Sequence, residues 1–157
     1  MSRTILPVTM LIGVLVLPSS ARAGEDKTSD ARIETAKQFF AKFVSLGEAF
    51  DPAVADLYSD EARIENTRHY PDGRTSKMSF PAPQYKQLIR SVMRLARARG
   101  DLSKFSDVKY EIAGDCVRIK ANRYSVLKDY FSPFSLLVGR DGSGQWVIKE
   151  ELSESQP

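Results

Sequence analysis

From Ala31 to about Leu46 the apolar residues Ile33, Ala36, Phe40, Phe43 and Val44 recur three or four positions apart. That spacing gives a helix one apolar stripe to bury. Gly47 is expected to end it, and Asp51-Pro52 to start a short second helix carrying Val54, Leu57 and Tyr58, with Asp51 as the cap and Pro52 in the first turn. The pattern then changes period. Residues Ala62 to Tyr70 alternate, with Ile64 on one face and Arg63 and Glu65 on the other; Pro71-Asp72-Gly73 makes a turn and Thr75 to Phe80 returns, which predicts a β-hairpin. After Pro81 and Pro83, the residues Tyr85, Leu88, Ile89, Val92, Met93 and Ala96 restore the helical spacing until Gly100 stops it. The last third is strand-like: Val108, Tyr110 and Ile112 alternate up to Gly114-Asp115, Cys116 to Leu127 and Phe131 to Arg140 follow, and Asp141 to Gly144 turns into Gln145 to Leu152. Helices first, a hairpin between them and a four-stranded meander afterwards predict an α+β fold in which one curved, mostly antiparallel sheet packs on three helices.

Ahead of these elements lies a different kind of segment. A basic start with Arg3, an apolar run from Ile5 to Leu17 and the closing triplet Ala21-Arg22-Ala23 have the order of a cleavable secretory leader over residues 1 to 23. The run is broken by Pro7 and Gly13 and is shorter than the roughly 20 residues needed to span a bilayer, so cleavage is expected rather than a transmembrane anchor. The working protein is then read as a flexible lead-in over 24 to 30, with Ser29 or Asp30 capping the first helix, one domain over 31 to 153, and a tail over 154 to 157. Its expected location is periplasmic or secreted.

Charge changes the picture once the leader is set aside. The whole chain has 23 basic and 20 acidic side chains; without Arg3 and Arg22 the balance is 21 to 20, a net charge of +1. Near neutrality gives no case for nucleic-acid binding, which needs a clustered basic surface. One cysteine, Cys116, cannot close an internal disulfide, and its apolar neighbours suggest a buried structural thiol. One histidine, His69, beside a hairpin tip, is read as a solvated residue. With so few ligating side chains no metal site is expected, and no cofactor either, since neither a Gly-rich phosphate loop nor a Gly-x-Ser-x-Gly elbow occurs. Lys86, Arg90, Arg94 and Arg97 form a basic stripe on the third helix, read as a solvated face or a contact for an acidic partner or anionic lipid.

The order of elements, the stretch Asp51-Pro52-Ala53-Val54-Ala55-Asp56-Leu57-Tyr58-Ser59-Asp60-Glu61-Ala62-Arg63-Ile64-Glu65 and the closing Gly144-Gln145-Trp146-Val147-Ile148-Lys149-Glu150-Glu151 resemble the nuclear transport factor 2-like (NTF2-like) superfamily, which includes ketosteroid isomerases and SnoaL-type cyclases. The resemblance covers about residues 31 to 153. It implies a cone-shaped sheet around the first helix, an open-ended pocket and a homodimer formed through the sheet. In the isomerases it resembles, a strand aspartate is the base; the matching position here is Asn66, which takes no proton at neutral pH. Their first-helix tyrosine is matched by a stretch, Phe39 to Phe43, without a hydroxyl. A slip of one residue brings Glu65 to the base position.

Strand alternation places Ile119, Ala121 and Arg123 on one face, and Trp146, Ile148 and Glu150 on one face of the last strand. Arg123 and Glu150 are therefore expected at the mouth of the cone, as a structural ion pair or as a clamp for a small ligand. Asn66 and Tyr58 complete the candidate ligand-binding set. The leading expectation is an exported, non-catalytic protein binding a small molecule or a partner. The alternatives are an isomerase, cyclase or hydrolase using a carboxylate such as Glu65 or Glu150, and a structural dimerisation module packed with Phe39, Phe40, Phe43 and Trp146. A pocket holding a buried carboxylate of raised pKa would favour the enzyme.

Overall fold

A computed structural model describes residues 20–157, with side chains from residue 27 onward. The leader read over residues 1 to 23 lies outside the described residues except for its last four, which open the first helix. Helix α1 runs Ser20–Glu48, so residues 24 to 30, expected as a loose lead-in, are helical, and Ser29 and Asp30 lie inside the helix instead of capping it. The chain leaves α1 through Phe50, a non-glycine residue at φ +51°, three positions past Gly47. Asp51 then caps a 3-10 helix, Pro52–Leu57, by accepting the Ala53 amide at 2.8 Å.

Strand β1 (Tyr58–His69) and β2 (Thr75–Pro81) form the expected hairpin, although β1 begins four residues earlier than the alternation suggests. Helix α2 (Ala82–Arg99) ends at Gly100, whose φ of +64° is the left-handed conformation that glycine adopts without steric cost. The meander is β3 (Ser103–Ala113), β4 (Cys116–Ser125), β5 (Tyr130–Arg140) and β6 (Trp146–Ser155). These make one six-stranded sheet in the order β2-β1-β6-β5-β4-β3, antiparallel throughout except where β6 lies parallel to β1. That parallel joint ties the hairpin to the meander. No helix among the described residues is long and apolar enough to cross a membrane.

The core lies between α1, α2 and the inner face of the sheet. Val117, Ile119, Leu136, Val138 and Ile148 are completely buried there, with Ala36, Phe40 and Ile64 against them. Burial at this density is the main force closing the cone. Trp146, at the start of β6, is only partly buried at the cluster's margin, where it borders an open pocket with Thr28, Ala31, Arg32 and Thr35 of α1. Cys116 is half-buried as well.

Two irregularities decide which side chains face inward. On β3 the pairing slips between Ser106 and Lys109, with Asp107 at φ +53°, and this extra residue keeps Phe105, Val108 and Tyr110 together against the core. On β6 the pairing passes from Val138–Ile148 directly to Leu137–Glu150, leaving Lys149 as the bulged residue. Alternation inverts there. Ile148 points inward, and so does Glu151, three positions on, whereas Glu150 points out.

The basic stripe of α2 lies on an exposed face, as expected for Arg90, Arg94 and Arg97, and three of its members also meet partners in the chain. Lys86 Nζ lies 2.6 Å from Asp60 Oδ1 and Arg90 Nη2 lies 2.5 Å from Asp56 Oδ1. Arg97 donates to the Ala49 carbonyl and places its guanidinium 6.0 Å from the centre of the Phe50 ring. These contacts hold α2 over the 3-10 helix and pin the turn after α1. His69 is exposed but has a partner, with Nε2 2.7 Å from Glu154.

Candidate functional site

Between the C-terminal half of α1, the 3-10 helix and α2 the sheet leaves a cavity of about 220 Å³. Its walls are largely apolar: Phe43, Val44, Phe50, Val54, Ile89, Met93, Phe105 and Phe134. The aromatic members interlock, with Phe105 and Phe134 centroids 5.0 Å apart and Phe43 and Phe134 5.9 Å apart. The volume exceeds that of an apolar cavity of about 150 Å³ known to hold benzene, so a compact molecule of one or two rings fits.

The polar end is built from three strands and a helix. Glu151, 5% exposed, reaches in from β6. One of its carboxyl oxygens accepts a hydrogen bond from the Tyr58 hydroxyl at the start of β1, and the other accepts one from Tyr85 of α2 at 3.1 Å. The two tyrosine rings meet edge to face, with centroids 5.5 Å apart. Burial raises the Glu151 pKa above the ordinary carboxylate range; the Tyr58 and Tyr85 hydroxyls and the Arg123 charge pull it part of the way back. Burial, reinforced by the charge of Glu151, also pushes both tyrosines well above their usual value, so they remain neutral donors. A carboxylate has about four lone-pair positions. Two are taken by the tyrosines, leaving Glu151 able to exchange a proton with a molecule in the cavity.

Arg123 of β4 lines the same cavity. Its Nη2 donates to the backbone carbonyl of Glu154 at 2.6 Å and to Ser132 Oγ at 3.3 Å, which fixes the guanidinium beside Glu151.

Of the residues proposed from sequence, Arg123 and Tyr58 are in the cavity and Glu150 is not. Because of the bulge at Lys149, Glu150 projects from the outer face of the sheet, where Arg118 Nη1 lies 2.5 Å and Arg63 Nη1 2.9 Å from its carboxylate. The expected Arg123–Glu150 pair does not form. Asn66 points inward but beyond the cavity, donating to Ser153 Oγ at 3.0 Å and accepting from Ser155 Oγ at 2.8 Å. Glu65, the alternative base, is on the outer face, paired with Arg63 at 2.9 Å and Lys77 at 2.5 Å. Alternation alone misses Glu151 and Tyr85. The available signal for Glu151 is the doublet Glu150-Glu151 within an apolar strand, since one of two neighbouring carboxylates must face the helices whichever way the strand is phased.

No protein-family model matches this sequence, and no curated protein is significantly similar to it. Solved structures are similar in shape. An NTF2-like protein with a cystatin-like fold from Novosphingobium aromaticivorans superposes with a TM-score of 0.57 at 14% identity, covering 88% of this chain and 91% of that one. A candidate dehydratase of the NTF2-like family from Streptomyces avermitilis gives 0.54 at 14% identity, over 80% and 96% of the two chains. A candidate ketosteroid isomerase from Parabacteroides distasonis gives 0.50 at 13% identity, over 78% and 86%. At these identities the likeness is one of fold.

Proposed function

We propose that this chain, an NTF2-like cone, binds a compact and mostly apolar small molecule and moves a proton on it through Glu151, in a reaction of the isomerase or dehydratase type. The observation that carries the proposal is a buried carboxyl of raised pKa at the polar end of a cavity. A carboxylate whose pKa is raised by burial is a stronger base than an exposed one and can return the proton as an acid. Glu151 would take a proton from carbon next to a carbonyl, and Arg123 would stabilise the negative charge developing on the oxygen. Tyr58 and Tyr85 would hold the carboxyl in place. The candidate dehydratase and isomerase among the similar folds make this chemistry compatible with the scaffold. Export through the leader in residues 1 to 23 and pairing of two copies through the sheet are further parts of the proposal; sedimentation equilibrium giving only the monomer mass would remove the second.

The test uses 2-tetralone, a two-ring ketone of suitable size, in deuterated water. The protein should accelerate exchange of its α-hydrogens as read by NMR, the rate should rise as pH climbs through the Glu151 pKa, and Glu151→Gln should abolish the acceleration. Binding of the ketone without faster exchange would reduce the proposal to a binding protein, and exchange that survives Glu151→Gln would exclude the assigned base.

A further inference from the structure

Beyond Arg123 the inner face of the sheet turns polar. A second chamber of about 260 Å³ lies there, and Asp101, Ser103 and Arg123 border both chambers. Arg68 of β1 and Lys128 of the β4–β5 turn line it as well. The topology explains the meeting of the two arginines. β6 and β5 lie between β1 and β4, a span of three strand spacings or about 14 Å, and both side chains face inward over the serine-rich strip between them.

The cations of this chamber are undercompensated. Arg68, Arg123 and Lys128 make no ion pair among the described residues. Asp101 is the one carboxylate on the chamber wall, against three positive charges. The nearby Glu154 carboxylate is turned to His69 instead. The Nε atoms of both Arg68 and Arg123 are buried without a hydrogen-bond partner. Arg68 has only the Tyr70 ring, 5.9 Å from its guanidinium carbon. A buried Nε–H without an acceptor is costly, and two such arginines on one chamber, Arg123 with only its Nη2 engaged, favour an anion whose oxygens meet their remaining N–H groups.

We infer that the second chamber recognises an oxyanion, so that the molecule bound in the apolar cavity is an amphipathic acid whose carboxylate or similar head lies between Arg68, Arg123 and Lys128. This rests on the small-molecule reading above and names the class of molecule. Arg123 serves both chambers, joining the head to the reacting end.

The experiment compares 4-phenylbutyrate with 4-phenylbutanol, which share a body and differ in the charged head, by calorimetric titration at low salt. The protein should bind the acid about tenfold or more tighter than the alcohol, and the preference should shrink as salt is added. Lys128→Gln, in an exposed turn and hence safe for folding, should reduce it, and Arg68→Gln with Lys128→Gln should erase it while leaving the affinity for the alcohol unchanged. Equal affinity of the unmodified protein for acid and alcohol, or a preference that survives the double variant, would overturn the inference and leave the apolar cavity as assigned. Failure of both compounds to bind would overturn the inference together with the reading beneath it.

Discussion

Replacing Tyr58 with phenylalanine removes one oxygen from the centre of the site and leaves the ring that packs on Tyr85. Tyr58 is 4% exposed, and Glu151, which accepts its hydrogen bond, is 5% exposed, so water cannot readily take the hydroxyl's place. Loss of a hydrogen bond to an ionised group costs about 1.5 to 3 kcal/mol, and to a neutral one about 1 kcal/mol. The penalty therefore depends on the charge of Glu151. In the intact protein burial raises the Glu151 pKa above its unfolded value of 4.5, so as pH climbs from there the unfolded chain releases its proton first and stability falls. Tyr58 supplies the largest of the effects that lower the Glu151 pKa; without it the pKa rises further and the fall extends to higher pH. Urea unfolding at one pH below and one above the Glu151 titration, extrapolated to water, should give a loss of about 1 kcal/mol at the lower pH and about 2 to 3 kcal/mol at the higher. A penalty below about 0.5 kcal/mol at both values, or one that shrinks as pH rises, would refute the buried Tyr58–Glu151 contact.

Other consequences are as direct. A Cβ on Gly139 would lie 2.6 Å from Cys116 Sγ, so Gly139→Ala should cost about 1 to 3 kcal/mol in urea unfolding, and adding Cys116→Ala should recover most of it. The Glu150 carboxylate is 12% exposed, its partner Arg118 23% and Arg63 57%; Arg118→Met should therefore destabilise by about 1 to 3 kcal/mol and Arg63→Met by less than about 1, and chemical denaturation showing the reverse order would displace Arg118 as the main partner. N-terminal sequencing of exported protein should begin at Gly24, and retention of Met1 to Ala23 would contradict the leader.

The elements were legible because their apolar periods are clean: α2 repeats Tyr85, Leu88, Ile89, Val92, Met93 and Ala96 without interruption, and Gly100 marks its end. Residues 24 to 30 are polar, which points to a loose lead-in, but they contain no proline and simply form part of α1. In the site, Arg123 could be placed by alternation because β4 pairs regularly with β5 from Val117 to Ser125. Glu151 could not, because nothing in Ile148-Lys149-Glu150 announces that one residue leaves the ladder. The partners of the stripe on α2 are hidden from the sequence for a related reason: Asp56 and Asp60, which pair with Arg90 and Lys86, stand more than twenty positions away in the chain and meet it only after folding.

The bulge at Lys149 makes the identity of the cavity's carboxyl a matter of counting. Glu150 and Glu151 are chemically identical neighbours, and the parity of a single residue decides which enters the cavity and which becomes a rivet between Arg63 and Arg118. Deleting Lys149 would only straighten the ladder and leave both where they are, whereas a strand that took Lys149 into the ladder opposite Leu137 would exchange their places, delivering Glu150 to Tyr58 and Tyr85 while Glu151 passed to the arginines. The chemistry of such a chain could then survive a frame change that would disable a site built on a solitary acid, and related chains compared column by column would have their functional glutamate one position out of line.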